Sequence, residues 1–87
     1  MTSEQKDRVC QLVYNAPKNI MRSAGSRRNF VNDLFFASGY WDRWEVKVFV
    51  DEMRGLNFSL KEERAFFLEM FFSWIPGKGD GYESSYT

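Results

Sequence analysis

The sequence predicts an all-α domain: a compact bundle of four to five short helices, with an aromatic-rich C-terminal helix and a flexible C-terminal tail. Apolar residues recur at the spacing of helical faces along most of the chain, and helix-start signatures precede the first and last of these stretches. The segment 59–75, SLKEERAFFLEMFFSWI, is apolar nearly all the way round when wound as a helix. With successive residues about 100° apart, Glu62, Glu69 and Ser73 fall in a stripe about 40° wide. Ala65, Phe66, Phe67, Leu68, Met70, Phe71, Phe72, Trp74 and Ile75 fill most of the remaining circumference. A surface helix needs an apolar stripe of only roughly 100°. This one must be wrapped, either by the rest of the domain or by a second chain.

Thr2 or Ser3 caps the first helix, and Gln5, three residues after Thr2, completes a capping box. The helix runs to about Tyr14. Asn15, Ala16 and Pro17 form a break, since proline suits only a first helical turn. Ile20 and Met21 then give the apolar side of a short second helix ending at Ser23, Ala24 and Gly25. Ser26 is the next expected N-cap, followed by Phe30, Val31, Leu34 and Phe35 at the i, i+1, i+4, i+5 spacing of one face. Gly39 stops that helix.

The segment 41–54 reads two ways. Trp44, Val46, Val48 and Val50 alternate as a strand would, but Val46, Phe49, Val50 and Met53 fit a helix, Gly55 follows as a C-terminal stop, and no partner strand is visible. Helix is the expected state. Ser59 with Glu62 forms a second capping box before the aromatic helix, and Pro76 and Gly77 end it. Residues 1–76 are therefore expected to form one helical domain. The tail 77–87, with three glycines and no periodicity, is expected to be flexible.

An 87-residue chain has room for one domain, burying roughly 60–65% of its unfolded surface. Nine Phe, three Trp and four Tyr supply the apolar area that so small a core needs. The twelve basic and twelve acidic residues cancel, but not locally. Residues 1–32 carry Lys6, Arg8, Lys18, Arg22, Arg27 and Arg28 against Glu4 and Asp7, and no acid lies between Arg8 and Asn32. Such asymmetry offers a basic face to an anionic partner. The alternative is a basic half paired with the acidic half inside the fold.

Catalytic chemistry finds little support. With no histidine, the usual base for nucleophilic catalysis is missing. The adjacent acids Asp51/Glu52 and Glu62/Glu63 point about 100° apart on a helix, so they read as surface or first-turn charges. GKGDG lacks the spacing of a phosphate loop. One cysteine, Cys10, among Val9, Leu12 and Val13, reads as a packing residue, and neither a metal nor a cofactor is expected. The polar N-terminus is unlike a signal peptide, and no apolar run is long enough to span a membrane, so a cytoplasmic protein is expected.

Two clusters remain as candidate partner-binding sites. In KNIMRSAGSRRNF, Lys18 and Arg22 share a helical face, while Arg27 and Arg28 fall in the first turn of the next helix. There an anion could meet guanidinium groups and free backbone N–H groups together. In GYWDRW, Tyr40, Trp41 and Trp44 gather beside Arg43, the residue types of interface hot spots. The competing role for these aromatics is core packing.

The first expectation is a non-enzymatic protein that occupies a surface of another protein, as an inhibitor or antitoxin-like neutraliser does. Small aromatic-rich chains of this kind are familiar from bacteriophage. The second is an RNA- or DNA-binding protein using residues 18–28. The third is a self-assembling subunit, with a homodimer formed through Phe67, Phe71 and Trp74 on the over-apolar last helix.

Overall fold

The computed structural model describes residues 1–79, with side chains placed as far as Ile75. Four helices follow one another: α1 (Ser3–Asn15), α2 (Ala24–Ser38), α3 (Arg43–Glu52) and α4 (Lys61–Gly79). Among the described residues there is no strand, and no helix is long and apolar enough to cross a membrane.

The α1 capping box forms as expected. Thr2 Oγ1 accepts from the Gln5 amide at 3.1 Å, and Gln5 Oε1 accepts from the Thr2 amide at 2.8 Å. Val9 and Val13 are fully buried. Ala16, extended before Pro17, ends the helix.

The expected second helix is not helical. Residues 17–22 make two successive turns, Ile20 N–H to Pro17 O at 3.1 Å and Arg22 N–H to Asn19 O at 3.0 Å. Too few residues separate Pro17 from the next cap for i→i+4 bonds to become established. That cap is Ser23, not Ser26: Ser23 Oγ accepts from the Ser26 amide at 3.2 Å. Gly25 therefore lies inside the first turn of α2, Arg27 closes that turn and Arg28 opens the second.

Phe30, Val31, Leu34 and Phe35 are all buried, as their spacing requires. Gly39 ends α2 with φ of 80°. A Cβ at Gly39 would approach Gln5 Nε2 to 2.9 Å, so the start of α1 passes close by.

Segment 43–52 is helix. Asp42 Oδ1 accepts from the amides of Trp44 and Glu45 at 3.0 and 3.1 Å, and Val46, Phe49, Val50 and Met53 turn inward. The expected Ser59/Glu62 box is replaced by a related device one step away. Asn57 Oδ1 accepts from the Ser59 amide at 2.9 Å, while the Glu63 carboxylate accepts from the Asn57 amide at 2.7 Å. Helix α4 passes Pro76 and continues to Gly79. Proline withholds only its own N–H, so later amides can resume the ladder. The rest of the expected tail, 80–87, lies outside the described residues.

The faces of α4 follow the sequence pattern. Glu62, Glu69 and Ser73 are exposed, together with Ala65 and Phe66, whereas Phe67 and Phe71 are wholly buried. Phe49 of α3 stands at the centre of the core. Its ring centroid lies 5.8 Å from Phe35, 5.4 Å from Phe67, 5.6 Å from Phe71 and 5.4 Å from Trp74, each near edge-to-face. Phe58, in the α3–α4 turn, closes one end against Phe30 and Phe67.

The self-association surface expected of Phe67, Phe71 and Trp74 is therefore corrected at Phe67 and Phe71, which the same chain already covers, while Trp74 is half-buried. Trp74 packs on Phe49 and donates Nε1–H to Glu45 Oε1 at 2.8 Å.

Two predictions follow from this packing. Phe71→Ala should cost about 3–5 kcal/mol, a Phe-sized cavity in a core that cannot collapse; an unchanged denaturation midpoint would show the phase of α4 to be wrong. Glycine substitutions should move stability in opposite directions. Gly39→Ala forces a Cβ into the left-handed region and should lose about 1–2 kcal/mol. Gly25→Ala, with nothing within 4 Å of its new Cβ, should gain about 0.5–1 kcal/mol.

Candidate functional site

The fold divides the basic segment in two. Arg27 and Arg28 are neighbours on α2, so their side chains leave the helix about 100° apart. Arg27 goes inward and is only 9% exposed, while Arg28 is exposed.

On the Arg27 side, residues 17–22 fold back over the start of α2. Ser26 Oγ donates to Ile20 O at 2.9 Å, and Arg27 Nη1 donates to Met21 O at 2.7 Å. These bonds bring Lys18 and Arg22 to the mouth of a pocket of about 760 Å³. The opposite wall comes from the α3–α4 turn, where Arg54 adds a fourth cation and Asn57 and Ser59 add polar groups. Among the described residues, no carboxylate lines this pocket. Among the described residues, Lys18, Arg22, Arg27 and Arg54 make no ion pair. The pairing of the basic half with the acidic half, the alternative left open by the sequence, does not occur here. Arg27 Nε is buried with no hydrogen-bond partner among the described residues.

The position of the arginines differs from expectation in one respect. Helix α2 begins at Ala24, so Arg27 closes its first turn and Arg28 opens the second. Ser23 already takes the Ser26 amide, so the exposed N–H groups and the two guanidinium groups do not converge on one point.

On the other side, Arg28 joins Arg43, Trp44 and Lys47 around a groove of about 680 Å³. Its one acid, Asp42, is engaged in capping α3. Lys47 Nζ lies 5.5 Å from the centre of the Trp44 ring, and Trp44 is 65% exposed. Along α2, Arg28, Asn32 and Phe36 are spaced four apart and share one face. Trp41 lies on that face, stacked on Phe36 with ring centroids 5.3 Å apart and planes 8° from parallel. Its Nε1–H donates to Asn32 Oδ1. Phe36 is 60% exposed and Trp41 43%. The packing alternative thus fails for Trp41 and Trp44.

It holds for Tyr40. This side chain is half-buried against the core, and its hydroxyl accepts from the Met1 ammonium at 3.4 Å. Tyr40 belongs to the α1–α2 packing and not to the exposed face, because Gly39 reverses the chain and turns the next residue inward.

Phe36, Lys47 and Arg54 complete the two sites and were not singled out from the sequence, which noted Arg43 only as a neighbour of the aromatics. Arg43 and Lys47 had a usable signal, the i, i+4 spacing of one helical face. Phe36 follows the buried Phe35 and carries no mark of its own. Arg54 is 27 positions from Arg27 in the chain, and only the tertiary fold brings them together.

Chemically, both sites are suited to holding negative charge. Of the adjacent acids, Asp51, Glu52 and Glu62 are exposed, and Glu63 accepts from the Asn57 amide. Comparison with known proteins gives no match: no family model fits the chain, and no curated protein or solved structure is similar to it.

Proposed function

We propose that this chain is a non-enzymatic binding protein that covers a functional surface of another protein with its α2–α3 face, as an inhibitor or neutraliser does. The observation carrying this reading is the exposed aromatic set Phe36, Trp41 and Trp44, bordered by Arg28, Arg43 and Lys47. A small domain gains by burying its large rings. Three held at the surface in so short a span serve a purpose other than its own core.

The stacking of Trp41 on Phe36 and its hydrogen bond to Asn32 fix that ring before any partner arrives. Ordering it on binding then costs little entropy. Rigid aromatic anchors beside arginine are the composition of interface hot spots. With Arg28, Arg43 and Lys47 outnumbering Asp42, the face is positively charged, and the complementary partner surface is apolar at its centre and acidic at its rim. Cys10 is a free thiol, in keeping with a reducing, cytoplasmic setting for this activity.

A second reading, single-stranded nucleic acid on the same face, rests on the same aromatics, since bases stack on exposed rings beside cations. The salt response separates the two. Nucleic-acid affinity falls steeply and linearly on a log–log plot with salt. A protein complex shows a shallower effect, mainly in the association rate.

The test is affinity capture of the stoichiometric partner, followed by titration of the purified pair. Trp44→Ala and Arg28→Glu should each weaken binding by about 30-fold or more. Both replace exposed side chains, so stability should change by only about 0.5 kcal/mol. Full affinity in both variants would move the function away from this face. A captured partner absorbing chiefly at 260 nm would replace the protein reading with the nucleic-acid one.

A further inference from the structure

The pocket behind Arg27 shares no lining residue with the groove beside Trp44 and has chemistry of its own. We propose that it is a binding site for a phosphate group, carried either by a small molecule or by a nucleic-acid backbone.

Four cations, Lys18, Arg22, Arg27 and Arg54, converge on it from three separate segments of chain, and no acid accompanies them among the described residues. Like charges brought together by folding oppose the fold unless something offsets them. Surface cations alone would be screened by water and salt. Arg27 is different, because it is nine-tenths buried. A buried guanidinium is ordinarily balanced by a carboxylate. Arg27 has the single backbone carbonyl of Met21, and its Nε has no acceptor among the described residues. The chain thus holds a desolvated positive charge in place and leaves it uncompensated.

Phosphate fits this site better than a carboxylate does. It brings up to two negative charges and several acceptor oxygens, which matches a set of guanidinium forks and an ammonium approaching from different directions. The volume of about 760 Å³ exceeds the needs of a bare ion. It lies in the range of about 300–1,000 Å³ typical of organic ligands. The phosphate is therefore attached to a larger body, for which Asn57 and Ser59 on the far wall offer polar contacts.

Calorimetry and thermal melting at constant ionic strength test this, with sodium phosphate, adenosine 5′-monophosphate, adenosine and a twelve-nucleotide single-stranded RNA as probes. Phosphorylated probes should raise the melting temperature as ligands of the folded state do, and adenosine should not. Lys18 and Arg54 are exposed, so Lys18→Gln and Arg54→Gln should fold normally. Each should weaken the phosphorylated probes by about tenfold.

Tight binding of the monophosphate assigns the site to a small phosphomonoester. Binding of RNA alone, reduced in the same two variants, assigns it to backbone phosphate. Trp44→Ala should leave either result intact, so failure of the α2–α3 face and failure of this pocket are distinguishable. An equal rise with sodium chloride overturns the proposal, as does full affinity in both Gln variants or no response to any phosphorylated probe.

Discussion

Helix α4 cannot exist in water as an isolated element, and the rest of the chain is arranged around that constraint. Its apolar circumference leaves Phe67, Leu68, Phe71 and Ile75 to be covered at once. The covering side chains are again largely aromatic: Phe30 and Phe35 from α2, Phe49 from α3 and Phe58 from the turn before α4. Edge-to-face packing suits them, because the electropositive edge of one ring meets the electronegative face of the next. Phe49 is the ring through which α2, α3 and α4 meet. With so few residues, several large rings provide a core that smaller aliphatic side chains would not fill.

Arginine supports this core in a way that net charge does not reveal. Arg64, in the first turn of α4, donates Nη1–H to Val13 O and Tyr14 O at 2.8 and 3.0 Å. It also donates Nε–H to Phe58 O at 2.8 Å, with its guanidinium 5.1 Å from the centre of the Phe58 ring. The last turn of α1 has no basic residue of its own. Arg64 supplies the missing cation to its carbonyls and so ties the two ends of the chain's helical order together. Arg27 does similar work for the 17–22 turns through Met21 O, but only in part. The guanidinium of Arg64 is satisfied and that of Arg27 is not, which is why the second belongs to a candidate site and the first to the scaffold.

The two basic sites arise from one short stretch of α2. Helical geometry sends consecutive side chains to different sides, so the pair Arg27–Arg28 serves two surfaces with different chemistry. One is lined by cations and neutral polar groups, with no acid among the described residues. The other is built from aromatics with cations at their border. Both arrangements present positive charge on side chains held in place by the helices and turns that carry them.

Much of the fold was legible in the sequence, because helices report themselves through local periodicity and caps. The Thr2/Gln5 box, the inward set Phe30, Val31, Leu34 and Phe35, the helical state of 43–52 and the polar stripe of α4 all depend on residues within a turn or two of each other. Local rules also set the limits. Ser23 and Ser26 are equally good caps by composition, and Ser23 prevails because Ser26 Oγ is needed by Ile20 O. Sequence further required that α4 be wrapped, but whether its own chain could do so depends on how far four Phe rings from distant segments reach. Tertiary structure decided that Phe67 and Phe71 turn fully inward while Trp74 is half-buried, that Tyr40 packs against the N-terminus, and that Arg54 joins Lys18, Arg22 and Arg27. Those outcomes depend on pairs of residues far apart in the chain, and no local pattern encodes the distance between them.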